Sequence, residues 1–188
     1  MDALKILSEI RNRECIILGL YRELARENEG MAASMLNISF DMVRHLKNSA
    51  ESLSENLLRS FNANTSSLFT LTVKSISVAP ESNETQAQTQ THEIVQRIRA
   101  QERKVVLEMR DMCLKFPAIA AGCCGLSVDQ IDSMVMRSVS DVMEFCYQQK
   151  EPILRLRVGK EKGFAELLKV GSKPCFNTFG WMIDKVAV

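Results

Sequence analysis

Histidine occurs only twice in the 188 residues, tryptophan once, proline four times and glycine eight times. Two histidines, His45 and His92, leave no material for a Cys/His or Ser/His/Asp constellation. The one Gly-Lys pair, Gly159-Lys160, lacks the upstream glycine spacing of a phosphate-cradling loop. The sequence therefore predicts a protein that is not an enzyme and carries no cofactor. Long apolar runs are also missing: Cys15 to Tyr21 and Ala118 to Leu126 fall far short of the roughly 20 residues needed to cross a bilayer. The opening MDALKILSEIRNRE is amphipathic and lacks a basic start and a small-residue cleavage site, so a cytoplasmic protein is expected. Charge of one sign is absent as well. A net charge of +1 demands no polyanionic partner, although a balanced total can hide a basic face.

What is present is a hydrophobic content of 46% with 25% charged residues, the mixture of a folded domain or two small ones. Six cysteines lie at 15, 113, 123, 124, 146 and 175, one in the first half and five in the second, which is not a secreted disulfide framework. Cys113, Cys123, Cys124 and Cys146 raise the question of zinc. There is no C-x-x-C pair and neither histidine is near them in sequence, so buried thiols acting as small apolar residues are expected and no metal is assigned.

The chain repeats itself. MAASMLNISFD (31–41) and IAAGCCGLSVD (119–129) stand 88 positions apart, and at that offset Ile10, Arg11, Glu14, Arg22, Ala32, Ala33, Ser39, Asp41 and Ser52 meet identical residues. Ile17/Val105, Leu18/Val106, Ile38/Leu126, Val43/Ile131 and Leu46/Met134 are conservative pairs. The expectation is a tandem duplication. Between the copies, VAPESNETQAQTQTH has no large apolar residue after Val78 and cannot bury enough surface to offset its ordering entropy. The expected organisation is a first unit over 1–74, a flexible polar linker over 75–92, a second unit over 93–158 and an extension over 159–188.

Each unit should be mainly helical. A long amphipathic helix places Leu4, Ile6, Leu7, Ile10, Ile17, Leu18, Tyr21 and Leu24 on one face, or Ile94, Ile98, Val105, Val106, Met109 and Met112 in the second copy. A short helix covers the repeated phrase, a third begins at its serine, and a fourth spans 50–61 or 138–148. SLFTLTV (67–73) and PILRLRV (152–158) alternate as strands do.

Inside the phrase the spacing suits a helix-turn-helix. Ala33 or Ala121 allows close approach, Asn37 or Gly125 tolerates a left-handed turn, and Val43/Leu46 or Ile131/Met134 face inward. The third helix of the first copy offers Arg44, His45, Lys47 and Asn48 to phosphates or base edges. In the second copy, Asp129 and Asp132 would repel a duplex. Further cations are Arg97, Arg99, Arg103 and Lys104 on the second long helix, Arg155 and Arg157 on the second strand, and Lys160, Lys162, Lys169 and Lys173 in the extension. The candidate double-stranded-DNA contacts are Arg44, His45, Lys47, Asn48, Arg155, Arg157, Lys160 and Lys162. A solvated helix face and a soluble amphipathic tail are the plain alternatives.

These residues resemble the FlhD family, on IAAGCCGLSVDQIDSMV and PILRLRV in the second copy and MAASMLNIS in the first. The resemblance covers about 65 residues of each copy. It implies a mainly α fold in which two tandem FlhD-like helical repeats, each closed by a short β-strand, pack as an internal pseudo-dimer. It also implies a transcriptional-activator subunit that joins an FlhC-like partner in a hetero-oligomer on promoter DNA, with flagellar-type or conjugative-transfer genes as targets. The competing expectation is a helical adaptor or chaperone-like protein of a secretion or conjugation system with no role at DNA.

Overall fold

The computed structural model describes residues 2–49, 67–73, 90–157 and 168. The expected helix over 50–61, most of the linker, and the extension apart from Leu168, with Lys160, Lys162, Lys169 and Lys173, lie outside the described residues. Within them the chain is mainly helical, with seven helices and one two-stranded antiparallel sheet.

Asp2 starts the first helix, its carboxylate accepting from the Leu4 amide. α1 (Ala3–Glu27) then runs to Asn28, whose own N–H returns to the Leu24 carbonyl at 2.7 Å while its side chain caps the next helix at the Met31 amide, 2.9 Å. One residue thus satisfies orphan groups of two helix ends. α2 (Glu29–Leu36) ends at Asn37 in the left-handed region, φ 53°, and Ser39 caps α3 (Phe40–Lys47) at the Met42 amide. After β1 (Phe69–Leu71) comes α4 (Gln90–Lys115), which begins three residues before the expected second unit, inside the span assigned to the linker. α5 (Pro117–Cys124) places proline in its first turn and ends at Gly125, φ 64°. Ser127 and Gln130 form a reciprocal capping box at the start of α6 (Val128–Val135), and Ser138 with Asp141 does the same for α7 (Val139–Gln148). β2 (Leu154–Leu156) closes the described fold.

The core lies between the long helices. Ile6, Leu7, Ile10, Ile17, Leu18, Tyr21 and Leu24 of α1 share one buried cluster with Ile94, Ile98, Val105, Val106, Met109 and Met112 of α4. Leu4 departs from the expected apolar face and is about half exposed. Arg13 pairs with Glu108 and Glu23 with Arg97, so contacts move in opposite directions along the two helices, which only an antiparallel pair permits. α2 and α3 pack on α1; α5, α6 and α7 pack on α4.

The two strands pair with each other, Phe69 opposite Leu156, Thr70 opposite Arg155 and Leu71 opposite Leu154, and so link the two halves of the chain. Each is shorter than the alternation predicts. β2 alternates as expected, with Leu154 and Leu156 buried around exposed Arg155, but β1 is buried on both faces. Thr70 turns towards the α5–α6 turn, and its hydroxyl donates to the Gly125 carbonyl at 3.0 Å. A second packed surface, invisible in a single strand's pattern, covers the side that alternation leaves to solvent.

Candidate nucleic-acid and partner interface

The backbone of the first corner follows from its residues. Asn37 takes the left-handed position and the Ile38 amide bonds back to the Ala33 carbonyl at 3.2 Å, which turns α3 across α2 with Val43 and Leu46 fully buried. The cations expected to read DNA therefore lie on the outer side of α3. Arg44 is 62% exposed and His45 is exposed. Neither Arg44 nor Lys47 is without a counter-ion: Glu29, at the start of α2, lies 2.8 Å from the Lys47 ammonium and 3.6 Å from the Arg44 guanidinium, which also lies 3.5 Å from Asp41. The two cations hold the Glu29 carboxyl below its usual range, the Lys47 hydrogen bond first. Asn48 is the C-cap of α3, its N–H returning to the Arg44 carbonyl.

The second corner has the same backbone plan with different chemistry. Gly125 suits its place for a spatial as well as a conformational reason: its φ is left-handed, and a β-carbon there would stand 2.7 Å from Arg157 Nε and push that side chain aside. Arg157 lies over the turn and donates to the Cys123 carbonyl at 2.6 Å, while its own amide extends the sheet to the Leu68 carbonyl at 2.8 Å. Arg157 is thus a clamp holding the strand to the corner. One N–H of its head is taken by a helix-end carbonyl, and the side chain, expected as a phosphate contact, is half-buried. Arg155, between the same buried leucines, is exposed. Gln130, in the first turn of α6, reaches the other way and donates to the Val73 carbonyl at 2.6 Å.

Three of the four cations expected as an outward stripe on α4 are engaged. Arg97 pairs with Glu23 at 3.0 Å; Arg99 donates to the Gln149 carbonyl at 2.6 Å and to that of Lys150; Arg103 sits 4.4 Å above the Tyr147 ring. Lys104 stays exposed beside a shallow groove of about 300 Å³ that also touches Arg13, Glu108 and Arg110.

Two buried carboxylates organise the strands. Glu14 on α1 is wholly buried and accepts from the amides of Leu68 at 2.9 Å and Phe69 at 3.0 Å, and from the Ser67 hydroxyl. Glu102 on α4 is 1% exposed and accepts from the Leu154 amide at 3.4 Å. Amides at the start of a buried strand need acceptors, and in each case a helix carboxylate supplies one. Burial pushes both carboxyls up to about 7; the hydrogen bonds, and Arg11 near Glu14 or Arg99 near Glu102, oppose the rise without cancelling it.

The thiols of Cys15, Cys113, Cys124 and Cys146 are buried and in no disulfide, and burial raises each of them, Cys113 and Cys146 to about 12. Among the described residues no three of His, Cys, Asp and Glu gather in a way that could hold a metal ion, and no described helix is long and apolar enough to cross a membrane. Sequence reading missed Glu29 as counter-ion and Arg157 as clamp, because their partners lie 18 and 34 residues away with no local signal. Glu14 and Glu102 were visible only as one of the nine identities.

Neither a protein-family model, nor a curated protein, nor a solved structure matches the chain.

Proposed function

We propose that the chain is a duplicated FlhD-like unit, folded as an internal pseudo-dimer, and that it works as a transcriptional-activator subunit. It associates with an FlhC-like partner, binds promoter DNA through the first corner, and activates flagellar-type or conjugative-transfer genes. It is not an enzyme and acts by assembly.

The observation that carries this reading is the correspondence of the two corners. Glu29–Leu36 and Pro117–Cys124 stand 88 positions apart, as do Phe40–Lys47 and Val128–Val135, the left-handed residues Asn37 and Gly125, and the capping serines Ser39 and Ser127. The identical Glu14 and Glu102 each accept from amides at the start of the strand that follows in their own half. A duplicated unit accounts for both facts at once. Against DNA, Arg44, His45 and Asn48 of the first corner and Arg155 of β2 are exposed, and Lys47 becomes available when phosphate displaces Glu29.

Gel shifts on promoter fragments with and without the product of the neighbouring gene test the proposal. The partner and this chain together should shift DNA that neither shifts alone at the same concentration. A chain that neither binds the partner nor alters its promoter binding contradicts the proposal.

A second reading, a helical adaptor of a secretion or conjugation machine, is favoured by one observation: the outer face of α6 is apolar and acidic and unsuited to DNA. Recovery of secretion components in a pull-down, with promoter activity unchanged on deletion, selects it.

A further inference from the structure

At about 100° per residue, Val128, Asp132, Val135, Met136 and Asp129 fall within roughly a third of the circumference of α6, opposite the buried Gln130, Ile131 and Met134. Val128 is 71% exposed and Met136 83%, and Val139 at the start of α7 continues the apolar surface. The positions 88 residues earlier on α3 are Phe40, Arg44, Lys47, Asn48 and Asp41, a polar stripe whose cations are answered within the chain by Glu29. No described cation pairs with Asp129 or Asp132. Where α3 carries Lys47 and Asn48, α6 carries Val135 and Met136, and the helix that carries Glu29 in the first corner has Pro117 in its place.

We propose that this stripe of α6 is the docking face for a partner protein that presents an apolar helix flanked by lysine or arginine. Charge identifies the occupant. A second copy docking α6 on α6 about a two-fold axis would set Asp129 and Asp132 against themselves, and nucleic acid would meet the same two carboxylates, with Arg137 exposed only after the end of the helix. A cation-flanked apolar helix satisfies both features, its aliphatic residues covering Val128, Val135 and Met136 and its cations reaching Asp129 and Asp132 at the rim. The inference deepens the functional reading above, since it names the face on which the protein partner sits, and it rests on that reading only for the existence of such a partner.

The test uses the full chain and a fluorescein-labelled synthetic helix of about three heptads with leucine at a and d and lysine at e and g. Fluorescence anisotropy should show saturable binding at micromolar concentrations in low salt. Asp129→Lys with Asp132→Lys should weaken it by at least about tenfold and create binding to a glutamate-flanked version of the helix that the wild type rejects. Met136→Ser with Val135→Ser should weaken the lysine helix in the wild-type background and the glutamate helix in the charge-reversed background alike. Circular dichroism confirms that these surface variants keep the wild-type fold, and Met136→Glu alone supplies a second, less invasive variant. The proposal is overturned if the lysine helix does not bind, or if it binds all variants equally. A concentration-dependent dimer that Asp132→Lys abolishes also overturns it, because the occupant is then a second copy. Promoter binding is measured separately with the neighbouring gene product present: loss of helix binding together with loss of the joint promoter shift supports the docking face, while loss of helix binding with the joint shift retained overturns it.

Discussion

Glu14 shows how one side chain ties local chemistry to the fold. A glutamate in the middle of a helix interior is costly unless its oxygens are used, and here they take two strand amides and a hydroxyl that would otherwise be stranded in a dry core. Glu14→Ala should cost about 2–4 kcal/mol in chemical denaturation. The pH dependence follows from the raised carboxyls. Between the ordinary value of 4.5 and the folded value of about 7, the folded chain holds protons that the unfolded chain has released, so stability falls as pH rises through this window. Urea midpoints should therefore be higher near pH 5 than near pH 8, by on the order of 1–3 kcal/mol of stability. The double variant Glu14→Gln, Glu102→Gln should flatten that profile. A profile unchanged by the double variant would mean that other groups set it. At the same scale, Glu29→Gln should release Lys47, leave Arg44 with Asp41 alone, and raise affinity for duplex DNA about two- to fivefold at low salt.

The element scale is where sequence and structure agree most closely and then part. Serine at Ser39, Ser127 and Ser138, Asn or Gly at the turns, and apolar residues at helical spacing were enough to place α2, α3, α5, α6 and α7, because caps and left-handed positions are set by neighbours in sequence. The strands were legible as extended segments, but their pairing, their three-residue length and the two-sided burial of β1 were not: these depend on Thr70 meeting Gly125 and Arg157 meeting Cys123. The candidate site divides in the same way. Arg44 and His45 were placed on an exposed face by helical period alone, whereas the engagement of Arg97, Arg99, Arg103 and Arg157 depends on partners remote in sequence. Gly125→Asn separates the two requirements of that turn. Asparagine accepts the left-handed backbone that Asn37 adopts in the first corner, but its β-carbon displaces Arg157 and leaves the Cys123 carbonyl with only the Ser67 amide, 2.7 Å away, of its two donors. The expected loss is about 1–2 kcal/mol, read as a lowered Tm, and Asn37→Gly should be close to neutral.

For the whole molecule, the antiparallel α1–α4 pair and the β1–β2 sheet join the halves through one apolar core, a contact of the kind that obligate dimers make. If the chain is a fused pseudo-dimer, residues 1–77 and 78–188 expressed together as separate polypeptides should copurify as a 1:1 complex with wild-type helical content, and neither half alone should fold cooperatively. On that proposal the two corners differ in chemistry: α3 carries cations where α6 carries valine, methionine and aspartate, so one chain would present two different faces where a homodimer would present the same face twice.

Binding of promoter DNA by the purified complex of this chain with its neighbouring gene product, titrated by anisotropy over a range of salt, tests the functional account most directly. Arg44→Ala with Lys47→Ala should weaken binding at least about tenfold and reduce the salt dependence by about two phosphate contacts, with the complex still intact. Affinity and salt slope unchanged from wild type, or a loss that appears only with Arg137→Ala, which removes the exposed arginine just beyond α6 in the second corner, would contradict it.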